Sequence, residues 1–248
     1  MQGEPPKSIE LCLAEMDNDN LLNYLHHYME EGSLELAFNL CLKMEKQIVV
    51  LYILGQLSSG HEAINYYNEG ICMDSNKDSI ITAYLAMVEI YMTDLCDEPD
   101  ASQKCDKFIN SCLELDSESV DTYFMIADLR LCQCENQKAK AAIETAMGLF
   151  LNDFSIDLPT PMPTYDFRIK GAKVCIELEL IDSALEILKT NECEFDEDLD
   201  LLYLSSLCYL LNSDKDNCEL YLSKLKTFDT EHEYVQGIQE IESKIKHI

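Results

Sequence analysis

The stretch from Val120 to Phe150, VDTYFMIADLRLCQCENQKAKAAIETAMGLF, decides the fold. Tyr123 and Ile126 are its large positions and Ala127, Ala139 and Ala146 its small ones, the spacing of two helices that approach closely through small side chains. Its second half, AKAAIETAMGLF from Ala139, can be laid on AINYYNEGICMD from Ala63, CDKFINSCLELD from Cys105, ALEILKTNECEF from Ala184 and CELYLSKLKTFD from Cys218. Taken in chain order, the first residues of these five stretches are 42, 34, 45 and 34 positions apart. An interval near 34 with a small residue opening the second helix is the tetratricopeptide pattern. The expected fold is all-α, a right-handed helical solenoid of about six helix pairs closed by a capping helix. Such solenoids ordinarily bind other molecules along a concave face.

Working outward, residues 1–17 start with Pro5 and Pro6, lack a clear period, and are expected to be loose. The solenoid is expected over 18–230. LLNYLHHYMEEG, a break at Gly32 and SLELAFNLCLKMEKQ make a degenerate first pair, and QIVVLYILGQLSSG opens the second with an almost continuous apolar run. After SIITAYLAMVEIYMTDL the loop CDEPDASQ is longer than an ordinary inter-helix turn, so the next helix is expected near Gln103. Pro159, Pro161 and Pro163 exclude a helix interior and predict an extended connection before Tyr165. ECEFDEDLD reads as an acidic turn. In 231–248, Ile238, Ile241 and Ile245 form the stripe of the capping helix.

Charge bounds the partner. The chain carries 47 acidic and 18 basic residues, a formal charge of -29, and only two of the basic residues are arginines. Nucleic acid and anionic membrane suit such a surface poorly, while a basic protein suits it well. The alternative is that the acidity serves solubility alone. The N-terminus has no cationic start followed by an apolar run and no window has the apolar length of a membrane span, so cytosol or nucleus is expected. The twelve cysteines read as thiols filling the core, with Cys105, Cys112 and Cys218 at small positions of the repeat. The lone CxC of Cys132 and Cys134 is weak as a metal motif.

Catalytic patterns are absent. No HExxH, GxSxG, phosphate loop or Rossmann glycine pattern occurs, the eight glycines are scattered, and the adjacent His26 and His27 point about 100° apart on a helix. The expectation is no enzyme, no cofactor and no metal.

The remaining chemistry is the inner face of the first helix of each pair. With Val88, Ala127, Ala172 and Ser206 as landmarks, inward positions fall six and three residues before and one after each. They are Thr82, Leu85 and Glu89, then Asp121, Phe124 and Asp128, then Asp166, Ile169 and Lys173, and finally Asp200, Tyr203 and Leu207. The mixture suits an extended segment that is basic with interspersed apolar residues. Asp121, Asp166 and Asp200 also lie in first turns, where a negative charge is favourable whatever the function, whereas Glu89 and Asp128 are mid-helix. Some tetratricopeptide proteins clamp an acidic C-terminal chaperone peptide with lysines and arginines. Here Lys173 is the one basic inward residue assigned, so such a peptide meets repulsion.

EIYMTDLCDEPD from Glu89 with its lengthened loop, then IADLRLCQ, the proline connection, YDFRIKGAKVCIELELIDSALEIL and DLLYLSSLCYLL resemble the dedicated assembly chaperones of large-subunit ribosomal protein four, acidic tetratricopeptide proteins of eukaryotes. The resemblance runs from about Ser79 to Phe228, and the first two units match in general form only. It implies a chain that captures the newly made ribosomal protein, shelters its basic internal loop in the concave face, keeps it from RNA and escorts it from cytoplasm to nucleus, as a monomer in a 1:1 complex. The family's acidic C-terminal extension is expected to be missing or very short here. The other reading is a general tetratricopeptide scaffold or co-chaperone adaptor.

Overall fold

The computed structural model describes residues 18–44, 47–152, 164–190, 198–228 and 234–246. These residues form thirteen helices and no strand. In chain order they are α1 (Asn18–Glu30), α2 (Leu34–Cys41), α3 (Ile48–Leu57), α4 (Gly60–Met73), α5 (Lys77–Met92), α6 (Ala101–Leu115), α7 (Val120–Cys132), α8 (Asn136–Asn152), α9 (Tyr165–Glu177), α10 (Ile181–Lys189), α11 (Leu199–Leu211), α12 (Lys215–Phe228) and α13 (Val235–Ile245). Odd- and even-numbered helices pack as six consecutive pairs, and α13 packs on α11 and α12. The first residues 1–17, the proline connection and most of the acidic turn lie outside the described residues.

Two compact units arise along the chain, 1–117 and 118–248. In the first, Leu21, Leu25, Ala37, Leu40, Val50 and Leu54 build the core of α1 to α3. In the second, Phe124, Ala127, Ala139, Ile143, Ala172, Ile187 and Leu201 form the larger core, and Ile238, Ile241 and Ile245 bring α13 onto Leu202, Leu222 and Leu225. The stripe of the capping helix is therefore buried.

The landmarks fall where the repeat puts them. Ala37, Ala63, Cys105, Ala139, Ala184 and Cys218 are each no more than 1% exposed, as are Val88, Ala127, Ala172 and Ser206 on the partner helices. A small residue at the crossing lets two backbones approach, and the packing leaves no solvent there. Cys105 and Cys112 also donate their thiols to the carbonyls of Val88 and Ile81 on α5, each at 3.8 Å. Cys41, Cys175 and Cys208 are buried too, and burial pushes the Cys41 thiol up to about 11 and the other two to about 12. The core-filler reading needs correction for Cys72, Cys96, Cys132 and Cys134, which are exposed.

Local signals set the helix starts. Asn76 caps α5 by accepting from the backbone N–H groups of Asp78 at 2.9 Å and Ser79 at 3.2 Å. Asp198 caps α11 by accepting from Leu201 N–H at 2.9 Å. α6 starts at Ala101, two residues before the expected Gln103; Lys104 N–H already bonds Asp100 O at 3.0 Å, and Ala101 is buried. The lengthened loop before it is held by side-chain contacts: Glu98 meets His61 at 2.6 Å and Lys104 at 2.8 Å, and Lys104 also meets Asp100 at 3.1 Å.

Candidate functional site

The first unit contributes Thr82, Leu85 and Glu89, all on α5. Thr82 is exposed and its hydroxyl donates to the carbonyl of Asp78 at 3.0 Å. Glu89 is half-buried. Burial pushes the nearby Tyr67 hydroxyl up to about 12, and the Glu89 carboxylate adds to that rise. Leu85 is a core side chain at 1% exposure.

In the second unit, Asp166 is exposed, and Asp128, Asp200 and Tyr203 are half-buried. Lys173 Nζ lies 2.9 Å from Asp200 Oδ2, and the Tyr234 hydroxyl donates to Asp200 Oδ1. Burial by itself raises the Asp200 carboxyl, but Tyr234 and Lys173 outweigh it and hold the group below the usual carboxylate range. Around the Tyr165 hydroxyl gather Asp198, Asp200 and Asp166; burial first, then these carboxylates, push its titration up. Asp121 is different. Burial pushes its carboxyl up to about 7 against the opposing pull of the Thr164 backbone N–H and the Arg168 guanidinium, and its Oδ1 is buried without a hydrogen-bond partner.

The expected inward set therefore divides. Asp166, Asp200 and Tyr203 gather on one surface with Asp198, Tyr165, Lys173 and Tyr234. Leu85, Phe124 and Ile169 lie in the interior, and a partner touching these faces does not reach them. For Phe124 and Ile169 the cause is visible: both belong to the core joining α7, α9 and α11, and the Phe124 ring lies against Gly171 of α9. Asp198 and Tyr165 escaped the sequence reading because the landmark offsets skip them. The pattern of an aspartate before an apolar run was the available signal for Asp198.

Among the described residues no group of three or more His, Cys, Asp and Glu side chains is placed to hold a metal ion. None of the described helices is long and apolar enough to cross a membrane.

Paired helices with small residues at each crossing define a tetratricopeptide-type helical solenoid. Solved structures agree: a tetratricopeptide repeat protein from Parabacteroides merdae is 14% identical with a TM-score of 0.58, covering 96% of this chain and 90% of its own. More particularly, the chain is similar to two curated proteins, each named "Probable assembly chaperone of rpl4". The Schizosaccharomyces pombe protein is 28% identical over 167 residues, which is 61% of this chain and 48% of that protein. The Emericella nidulans protein is 26% identical over 117 residues, 46% of this chain and 29% of that protein. The chain thus spans about half or less of the length of these relatives. The solved "Assembly Chaperone of RpL4 (Acl4) (Residues 1-338)" shares the fold with a TM-score of 0.55 and 19% identity, covering 81% of this chain and 98% of its own. No family model matches the chain.

Proposed function

We propose that this chain is a dedicated chaperone of large-subunit ribosomal protein four, binding it one to one through its basic internal loop, keeping it soluble and escorting it from cytoplasm to nucleus for ribosome assembly. The observation that carries the reading is the similarity to two curated proteins named for assembly of rpl4. Charge supports it independently, because a formal charge of -29 attracts a basic client and repels nucleic acid that competes for that client. The work is stoichiometric binding, with no chemical step.

Binding of purified ribosomal protein four, followed by fluorescence anisotropy across a salt series, tests this. Affinity is expected to fall steeply with salt. The combined substitutions Glu89→Lys and Asp128→Lys are expected to weaken it by about tenfold or more. Unchanged binding by that double variant would sink the electrostatic part of the proposal. Failure of the unsubstituted chain to bind the protein at all would sink the client assignment and favour a scaffold for other partners.

A further inference from the structure

The first unit contains a groove that the client reading does not use. It is a cleft of about 690 Å³ bordered by α1, α3 and the turn leading into α5. Clefts of several hundred cubic ångströms commonly receive a bulky side chain together with its neighbouring backbone. Met29, Val49 and Ile53 give it an apolar wall that continues into the core of the unit. Tyr52 and Asp74 line the same groove.

The polar side of this groove is fixed. The Tyr52 hydroxyl donates to Asp74 Oδ2 at 3.0 Å, and the Asn76 backbone N–H donates to Asp74 Oδ1 at 2.8 Å. A carboxylate has about four acceptor sites and two of Asp74's are used, so Asp74 retains acceptor capacity at the rim. The Tyr52 ring is itself held by α4, where a Cβ on Gly70 would come within 2.6 Å of Tyr52 Cε1. Of the nearby cations, Lys77 is engaged by Asp116 at 3.0 Å. Apolar side chains and an oriented carboxylate in one groove select one kind of ligand.

We propose that this groove receives an aliphatic side chain of a basic peptide segment, seated on Met29, Val49 and Ile53, with an adjacent lysine or arginine paired to Asp74. Charge complementarity picks the basic segment over an acidic or carboxylate-terminated one, given the formal charge of -29. The client reading supplies only the identity of the protein that carries the segment. The aliphatic residue fixes register along the groove, which charge alone, acting through solvent over several ångströms, does not.

The test uses the full chain with 13C-labelled methyl groups and an acetylated, amidated peptide, Gly-Lys-Lys-Ile-Lys-Lys-Gly. The Met29, Ile48 and Ile53 methyl signals are expected to shift and saturate. Replacing the peptide's isoleucine by glutamine, or its lysines by glutamates, is expected to weaken binding by about tenfold or more. Val49→Lys, and separately Ser79→Lys at the rim, are expected to abolish those shifts, with circular dichroism confirming the fold of each. Equal binding of all three peptides, or shifts elsewhere with these methyls unmoved, overturns the groove. Undiminished binding of ribosomal protein four by both variants overturns its use by that client and leaves the chaperone reading standing. If the unsubstituted chain ignores ribosomal protein four, the chaperone reading falls and the peptide titration still decides the groove.

Discussion

The ring of Phe124 on α7 occupies the space that a side chain at Gly171 on α9 would need. A Cβ built on Gly171 would lie 2.7 Å from Phe124 Cδ1 and 2.8 Å from Cε1. Phe124 is fully buried, so the ring has nowhere to retreat. Alanine is the better helix former by about 1 kcal/mol, but overpacking a closed core costs about 1 to 3 kcal/mol, and the clash decides the sign. Gly171→Ala is therefore expected to lower the midpoint of urea unfolding, and Phe124→Ala to lower it further by leaving a cavity.

Gly148 supplies the opposite case. It lies within α8, is exposed, and nothing stands within 4 Å of a Cβ built there. Gly148→Ala is expected to raise stability by about 0.5 to 1 kcal/mol. A loss of stability in the same urea titration would mean that the packing around α8 is tighter than these contacts describe.

Four helix pairs turn through the same left-handed residue. Ser33 N–H bonds Tyr28 O at 2.8 Å, Glu135 bonds Arg130 at 2.8 Å, Leu180 bonds Cys175 at 2.8 Å and Asp214 bonds Tyr209 at 2.9 Å. The residue just before each donor is Gly32, Cys134, Glu179 or Ser213, with φ of 70°, 59°, 61° and 57°. Only the first is the glycine that this helix end favours, and a side chain in that conformation costs about 1 to 2 kcal/mol. Glu179→Gly and Ser213→Gly are each expected to raise the unfolding free energy by a net amount of about 0.5 to 1 kcal/mol, after the extra freedom of glycine in the unfolded chain, and so to raise the melting temperature. Gly32→Ala should lower it.

Much of this was legible from spacing. Small residues are required wherever two backbones cross closely, so Ala63, Cys105, Ala139, Ala184 and Cys218 marked the second helices directly. Offsets from those landmarks gave direction around a helix axis and nothing about what covers that direction. Whether Phe124 faces a client or a neighbour depends on Gly171, 47 residues further along the chain. The groove of the first unit was hidden for a related reason: in IVVLYILGQL almost every position is apolar, so periodicity does not tell the open face from the packed one. The exposed cysteines were misread because composition reports that thiols belong inside without reporting which of them lie at turns, as Cys96 and Cys134 do, or on the outer side of a helix, as Cys72 and Cys132 do.

Asp121 makes stability depend on pH. Its carboxyl is raised from 3.8 to about 7 by burial, so the folded chain holds a proton there that the unfolded chain has released. This site's contribution is favourable below the unfolded value and is lost progressively as pH rises from about 4 to about 7. Asp121→Asn removes the ionisation. It is expected to stabilise at pH 8 by on the order of 1 to 2 kcal/mol, with allowance for remaining solvent access, and to have little effect at pH 4. Equal effects at both pH values, measured by urea titration, would show that the carboxyl stays ionised in the folded chain.

On the proposed client reading, the pair of Lys173 and Asp200 gives a test of the acidic surface. Their ion pair at 2.9 Å is half-exposed at both ends, so its own contribution to stability is small, about 0 to 1 kcal/mol. Its effect on a basic client is larger in principle, because Lys173 both neutralises Asp200 and repels an incoming cation. The Tyr234 hydroxyl keeps Asp200 oriented when the lysine is gone. Lys173→Ala is therefore expected to tighten binding of ribosomal protein four by about threefold to tenfold at low salt, with the gain shrinking as salt screens the carboxylate. In the double variant with Asp200→Asn the gain should vanish, which separates an uncovered charge from a mere change in packing. Tightening that survives both high salt and Asp200→Asn would place the effect of Lys173 elsewhere.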